Sequence, residues 1–101
     1  PRGWLAAKES PDVLLDPADL AKVIYVDHYG NCVTGMRATS VARAARIRAG
    51  GRVLRYARIF DAAEGPFWYE NSMGLVEIAA PRASAARLLR LRAGYAIRIA
   101  R

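Results

Sequence analysis

The sequence predicts a mainly β fold, a small antiparallel β-barrel with one short C-terminal helix. Short runs of β-branched and aromatic residues alternate with turn residues along most of the chain. A Gly-Gly pair at positions 50–51 separates two such runs, which is typical of a tight hairpin. Residues 84–91 have the clearest helical pattern. With 101 residues, the chain can form one hydrophobic core but not two.

The first 21 residues are predicted to be an arm or linker. Pro11 and Pro17, each beside an aspartate, interrupt any periodic pattern there. The clearest strand follows at residues 22–27 (KVIYVD), and the Gly30-Asn31 pair after it suits a turn. We therefore place the arm at residues 1–21 and the barrel at residues 22–101.

Residues 39–49 are ambiguous, because their alanines and arginines favour a helix while Arg-Ile-Arg alternates with the period of a strand. The Gly-Gly pair favours a hairpin, with one helical turn before it as an open alternative. Residues 67–69 and 75–79 are predicted strands joined by a polar loop. Ser84 suits a helix N-cap, Gly94 lies past the end of the helix, and residues 95–100 return as the final strand.

The charge is distributed in blocks. The net charge is +7, but residues 1–27 carry 3 basic and 5 acidic side chains, and the remaining residues carry 13 and 4. An arginine block (residues 37–58), an acidic block (residues 61–77) and a second arginine block (residues 82–101) follow one another, which suggests surfaces that pair across the fold or across a subunit contact. A basic chain also fits nucleic-acid binding, but no helix-turn-helix, zinc-finger or aromatic RNP-like pattern accompanies the charge. Nucleic acid is therefore an unlikely partner.

The composition excludes several classes of protein. Cys32 is the only cysteine and His28 the only histidine, which rules out an intrachain disulfide and a cysteine- or histidine-rich metal site. No apolar run approaches the roughly 20 residues that a membrane-spanning helix needs. We expect a cytoplasmic protein with no membrane contact and no bound metal, in which Cys32 is an unreactive apolar thiol.

Two loops carry the polar groups that suit ligand binding. In the first, Asp27, Tyr29 and Asn31 supply a carboxylate, an aromatic ring and an amide, which complement a ligand with an ammonium group and an aromatic base. Alternatively, Asp27 and Asn31 cap the backbone of their own turn. The second loop contains Asn71 and Ser72, and the same two interpretations apply to it.

Three blocks together resemble a known family. They are VIYVDHYGNCVTG at residues 23–35, YENSMGLVEIAA at residues 69–80 and ASAARLLRLRAGYAIRI at residues 83–99. They are similar to the C-terminal domain of the S-adenosylmethionine (SAM) hydroxide adenosyltransferases, a family that also contains the SAM-dependent fluorinase and chlorinase. The resemblance runs from about residue 21 to the end of the chain.

The resemblance implies a fold, a partner and a set of contacts. In that family, the active site lies between this β-barrel and the N-terminal domain of a neighbouring subunit in a homotrimer, and SAM is a substrate rather than a cofactor. Asp27 would meet the ammonium or carboxylate end of the methionine portion, and Asn31 would bind the adenine edge. Phe60 would flank adenine, Tyr29 sits where the family has a phenylalanine, and the backbone around Arg82 would contact adenine. Ser72 would help to hold the methionine end, and Asn71 beside it is the remaining implied substrate-binding residue.

One departure bears on the reaction. Halogenating members have an arginine directly after the serine of the second loop, where this chain has Met73. The resemblance therefore favours displacement at the ribose C5′ by water or hydroxide, which gives adenosine and methionine. A sulfonium is already a good leaving group, so the protein has mainly to orient and desolvate the nucleophile.

The groups that position the nucleophile belong to the family's N-terminal domain. We therefore expect no catalytic residue in this chain and no activity from it alone, and we expect it to be the C-terminal portion of a larger enzyme. The alternative is a stand-alone basic β-barrel that binds nucleic acid or a protein partner.

Overall fold

The computed structural model describes residues 20–58 and 63–100. This part of the chain contains seven strands, one 3-10 turn and one α-helix. The strands are β1 (Leu20–Val26), β2 (Cys32–Arg37), β3 (Arg46–Ala49), β4 (Arg52–Tyr56), β5 (Phe67–Glu70), β6 (Leu75–Ala79) and β7 (Arg98–Ala100); the 3-10 turn is Ala38–Ser40 and the helix, α1, is Ala85–Leu89. The strands form one sheet in the order β1-β2-β6-β5-β4-β3-β7, which confirms the mainly β prediction.

The last segment of the described chain brings the two edges of the sheet together. β7 pairs with β3, while the residues just before it bind β1. Val23 N donates to Tyr95 O at 2.8 Å, Gly94 N donates to Val23 O at 2.7 Å, and Ile97 N donates to Ala21 O at 2.9 Å. The sheet is therefore curled into a small barrel, as the sequence predicts.

One strand pair departs from the antiparallel prediction. β4 and β5 run parallel, with Arg55 opposite Phe67 and Tyr56 opposite Trp68, whereas the other ladders are antiparallel. A parallel pair needs a long connection between its strands. The ten residues between β4 and β5 provide that connection, in contrast to the two-residue turn of the β3–β4 hairpin.

The hairpin prediction is confirmed. Gly50 and Gly51 join β3 to β4 with φ angles of 58° and 80°, and two consecutive positive φ angles are typical of a type I′ turn. The helical turn left open before the hairpin is present as the 3-10 turn. β6 spans the predicted residues, and β1 begins at Leu20. The arm predicted for residues 1–21 lies almost wholly outside the described residues.

Three elements differ from the sequence prediction. β2 is not predicted, because it is buried on both faces and therefore lacks polar alternation. α1 is shorter than residues 84–91: Ser84 caps it, accepting a hydrogen bond from Arg87 N at 3.1 Å, but Arg90 ends it with a left-handed φ of 56°. β7 starts at Arg98 instead of Tyr95, because the residues before it bind β1 instead of β3.

The core lies inside the curled sheet. Its largest fully buried side chains include Trp68, Ile47, Leu54, Ile78 and Val23. Burial of each is worth roughly 1.5–3 kcal/mol. The indole of Trp68 donates to Ala45 O at 3.2 Å, so its polar group is satisfied.

One ion pair links the first arginine block to the acidic block. Arg43 Nη2 lies 2.7 Å from Glu70 Oε1, and both side chains are exposed, so the pair stabilises the fold little. No helix in the described part of the chain is long and apolar enough to cross a membrane.

Candidate functional site

The turn between β1 and β2 is shaped by Asp27. Its Oδ1 accepts hydrogen bonds from Tyr29 N and Asn31 N, both at 2.9 Å. Two backbone hydrogen bonds close the same turn, from Gly30 N to Asp27 O and from Asp27 N to Asn31 O, each at 3.0 Å. Asp27 therefore caps its own turn with one oxygen, and its Oδ2 accepts no hydrogen bond within the described chain.

This turn is held against the start of α1. Gly30 O accepts a hydrogen bond from Ala86 N at 2.9 Å. Gly30 has a φ of 85°, and a Cβ atom at this position would overlap the hydroxyl of Ser84. Only glycine fits such a close approach at this φ, so the helix cap and the turn form one rigid unit.

A cavity of about 410 Å³ lies beside this turn. It is lined by Tyr29, Asn31, Ala80, Arg82 and Ala83. The Tyr29 ring is 76% exposed. The side-chain amide of Asn31 makes no hydrogen bond to any described residue, so it can both donate to a ligand and accept from one.

Arg82 contributes a strained backbone to this cavity. It occupies the tight turn between Ala80 and Ala83, which form an isolated β-bridge, and has a left-handed φ of 54°. With the amide of Asn31 and the ring of Tyr29, this turn can hold a flat heteroaromatic group by stacking and by hydrogen bonds to its edge.

The second loop is shaped by Asn71. Its Oδ1 accepts from Met73 N at 2.9 Å and from Leu75 N at 3.0 Å, and its Nδ2 donates to Glu77 Oε1 at 2.9 Å. Asn71 thus orders the loop, and direct contact with a ligand stays a prediction for it. Ser72 lies exposed beside it, where its hydroxyl is open to a ligand.

The structure keeps the two loops apart. In the β2–β6 ladder, Cys32 lies opposite Ile78 and Arg37 lies opposite Leu75. The Asp27–Asn31 turn leads into one end of this ladder and the Asn71 loop into the other, separated by the five residues of β6, about 16 Å. Asp27, Tyr29, Asn31 and Arg82 are therefore brought together, whereas Asn71 and Ser72 lie at the far end. Phe60 lies outside the described residues.

Glu77 lies between the two ends and is not among the predicted site residues. It is the middle residue of β6, is only 7% exposed, and lies opposite Val33 on one side and Tyr69 on the other. Residues opposite each other in register share one face of a sheet. None of these three belongs to the core cluster, which instead contains their strand neighbours such as Cys32 and Ile78. The sequence signal that could have identified Glu77 is the single carboxylate within the apolar run LVEIA.

The buried carboxylate of Glu77 is held by neutral donors. Tyr69 Oη donates to Glu77 Oε2 at 2.6 Å, beside the hydrogen bond from Asn71. Burial, this hydrogen bond and the charges of Glu77 and Asp27 raise the pKa of Tyr69, so the phenol keeps its proton and donates.

Cys32, the first residue of β2, is fully buried in the core. Its burial, together with the charges of Asp27 and Glu77, raises the pKa of the thiol to about 11. The thiol therefore stays protonated and poorly nucleophilic near neutral pH, in agreement with the prediction. In residues 20–58 and 63–100, no three histidine, cysteine, aspartate or glutamate side chains are grouped to hold a metal ion.

Comparisons with known proteins identify a family and related structures. The sequence profile of the SAM hydroxide adenosyltransferase C-terminal domain matches residues 21–98. A solved structure described as a conserved hypothetical protein from Thermus thermophilus is 34% identical, with a TM-score of 0.67, over 78% of this chain and 34% of that one. An uncharacterized conserved protein from Thermotoga maritima is 26% identical, with a TM-score of 0.68, over 79% of this chain and 35% of that one. No curated protein sequence matches the chain.

The chain spans about a third of the length of these two structures. The profile match covers the three blocks that carry the resemblance, including both loops and β6 between them. The chain belongs to the SAM hydroxide adenosyltransferase family and matches its C-terminal domain.

Proposed function

We propose that this domain supplies the C-terminal half of the substrate site in an enzyme that hydrolyses SAM to adenosine and methionine, and that it is not catalytic alone. The observation that carries the proposal is the cavity beside the β1–β2 turn. It gathers Tyr29, Asn31 and Arg82, three of the substrate-binding residues that the family resemblance implies.

The cavity suits adenine in particular. An adenine edge presents both a hydrogen-bond donor and an acceptor, and the amide of Asn31 can pair with both. Tyr29 supplies an exposed ring against which the base can stack. Ala80 and Ala83 leave room for a flat ring system next to the strained backbone at Arg82.

From the cavity, the rest of SAM would run along the face formed by β2, β6 and β5 toward Ser72. The charge of Asp27 acts on both Cys32 and Tyr69, so this carboxylate lies near the face. Since Asp27 lies at the cavity end, about one strand length from Ser72, its Oδ2 would attract the positively charged sulfonium and not the ammonium group of the methionine portion. Ser72 would then bind at the methionine end, about one strand length from the cavity.

The reaction is a displacement at the ribose C5′. A water oxygen forms a bond to C5′, the C5′–S bond breaks, and its electron pair neutralises the sulfonium, so methionine leaves as a thioether and the water gives up a proton. We assign the positioning of that water to the N-terminal domain of a neighbouring subunit. The assembled enzyme would be a homotrimer in the cytoplasm. The barrel's role is to hold the two ends of the substrate in line.

Calorimetry with adenosine tests the proposal, using the chain combined with its family N-terminal domain. We expect Asn31→Ala to weaken adenosine binding by about 1.5–3 kcal/mol, because an adenine edge loses its partner. Thr39→Ala, an exposed change beyond the other end of β2, is the matched control and should bind like the wild type. If wild type does not bind adenosine, or if Asn31→Ala binds equally well, the proposal is wrong.

A second candidate function rests on the arginines of β3 and β7. Arg48 lies directly opposite Arg98, and Arg46 is on the same face two residues away. None of these three forms an ion pair with any residue in the described part of the chain, and like charges facing each other are destabilising unless an anion joins them. Salt-dependent RNA binding that Arg48→Glu abolishes would favour the alternative function, a stand-alone basic barrel that binds nucleic acid.

A further inference from the structure

We propose that Glu77 makes the face formed by β2, β6 and β5 selective for a ligand with a positive charge above the middle of β6, and that it does so as a positioning residue without touching the ligand. The inference rests on the proposed function. There, the sulfonium joins the adenosine and methionine portions of SAM, and so would lie between the cavity and Ser72. Glu77 is the central residue of the strand that connects those two ends.

The hydrogen bonds of Glu77 satisfy both of its oxygens but place no positive charge against the carboxylate. Its two partners, the Tyr69 hydroxyl and the Asn71 amide, are neutral donors. A glutamine has one acceptor oxygen and would accept only one of these bonds, so the two donors favour a carboxylate. A buried carboxylate nevertheless costs several kcal/mol of desolvation unless an opposite charge compensates it. Within the described chain no cation compensates this carboxylate, which leaves its charge available to a positively charged ligand.

The charges around Glu77 support the same conclusion. Residues 28–101 carry 13 basic side chains against 4 acidic ones, yet neither Glu77 nor Asp27 forms an ion pair with any other described residue. By contrast, exposed Glu70 is paired with Arg43 at 2.7 Å. In a strongly basic chain, the face between the two loops has kept two carboxylates free of the described arginines.

The two carboxylates, Asp27 and Glu77, also act electrostatically on the same side chains. Asp27 and Glu77 both raise the pKa of Cys32 and of Tyr69 by their charge, in addition to the effect of burial. Tyr69 lies opposite Glu77 on this face, whereas Cys32 lies opposite Ile78 and belongs to the core. A cation placed over this part of the face would therefore be attracted by both carboxylates at once.

The reaction makes the consequence testable. SAM carries the sulfonium, whereas S-adenosylhomocysteine differs from it by one methyl group and has a neutral sulfur. The positive charge on sulfur fades as the C5′–S bond breaks, so Glu77 would stabilise bound SAM more than the transition state. An interaction of this kind lowers KM without raising kcat.

The experiment compares the binding of SAM and of S-adenosylhomocysteine to wild type and to Glu77→Gln, in the assembled protein with its N-terminal domain. We expect Glu77→Gln to weaken SAM binding roughly fivefold to tenfold and S-adenosylhomocysteine binding less than twofold. In turnover, KM for SAM should rise by a similar factor while kcat does not fall. Tyr69→Phe, which removes a hydrogen bond but keeps the carboxylate, should retain the wild-type preference for SAM.

Equal losses of affinity for the two compounds would show that Glu77 only orders the Asn71 loop. This result would overturn the inference about Glu77 but not the proposed function. Should Glu77→Gln not fold, the wild type still decides, because equal affinity for SAM and S-adenosylhomocysteine contradicts a selective face. If the wild type binds neither compound nor adenosine, the proposed function itself is wrong, and the inference falls with it.

Discussion

Gly30 and Ser84 lie in direct contact, although 54 residues separate them in the sequence: the Gly30 Cα faces the hydroxyl that caps α1, with no room for a Cβ atom between them. Gly30 O also accepts the hydrogen bond from Ala86 N. This contact joins the turn that carries Asp27 and Asn31 to the segment that follows Arg82. The shape of the candidate adenine cavity therefore depends on it.

We expect Gly30→Ala to destabilise the fold by about 2–5 kcal/mol in urea unfolding. A positive φ costs a residue with a Cβ about 1–2 kcal/mol, and the overlap with Ser84 adds the cost of overpacking, about 1–3 kcal/mol.

Gly51→Ala separates the cost of a positive φ from the cost of the overlap. Gly51 has a similar φ of 80°, but a Cβ atom there would have no neighbour within 4 Å. This variant should lose only the stability that the positive φ costs, about 1 kcal/mol. Equal destabilisation by the two substitutions would contradict the close contact at Gly30.

The two loop asparagines should behave in opposite ways. Asn71→Ala removes a side chain that accepts two backbone hydrogen bonds and donates to Glu77, so we expect a loss of about 2–3 kcal/mol in thermal or urea unfolding. Asn31→Ala removes an amide that has no partner among the described residues, so stability should change by less than about 0.5 kcal/mol. A large loss for Asn31→Ala would mean that this amide serves the fold.

The C-terminal cap of α1 offers a stabilising substitution. Arg90 has a left-handed φ of 56° at a position where glycine is the preferred residue. We expect Arg90→Gly to raise the free energy of unfolding by about 1 kcal/mol, because the conformational strain is relieved. Arg87→Gly, within the helix, should lower it by about 1 kcal/mol. Destabilisation by both variants would show that helix propensity outweighs the cap.

Stability should fall between about pH 9 and pH 11. The pKa of Cys32 is raised in the folded state from 9.0 to about 11, so in this window the unfolded chain loses the thiol proton while the folded chain keeps it. By linkage, the contribution of Cys32 is fully present below pH 9 and is lost as the pH rises toward 11, up to about 2 kcal/mol.

Chemical unfolding at a series of pH values measures this loss. Cys32→Ala is the control, since it removes the thiol and costs a constant amount at every pH. Other groups, such as Tyr69, also titrate at high pH, so the quantity that matters is the difference between wild type and Cys32→Ala. A difference that does not change between pH 8 and pH 11 would contradict the shifted pKa.

Local chemistry in the sequence correctly predicted the features that depend on a few neighbouring residues. Gly50 and Gly51 specify a tight turn because both tolerate positive φ. Ser84 specifies a helix start because its hydroxyl can accept the hydrogen bond from Arg87 N. The sequence predicts the Asp27–Asn31 turn and the Asn71 loop as binding loops because both place polar groups between apolar strands.

The extent of β2, the parallel pairing of β4 with β5 and the early end of α1 could not be predicted in this way. Each depends on partners far along the chain: β2 lies between β1 and β6, and β5 pairs with β4 across ten residues of connection. Strand periodicity is lost where both faces are buried, so the sequence of β2 resembles neither an exposed strand nor a loop.

By itself, the sequence determined the family, the small β-barrel and the two loops that carry the candidate site, because short motifs and turn residues act locally. Only the tertiary structure decided that these loops lie at opposite ends of one ladder, that the amide of Asn31 is open while that of Asn71 is occupied, and that Glu77 is buried between them. The physical reason is that burial and hydrogen-bond partners are set by strand pairing over long separations, which no local pattern records.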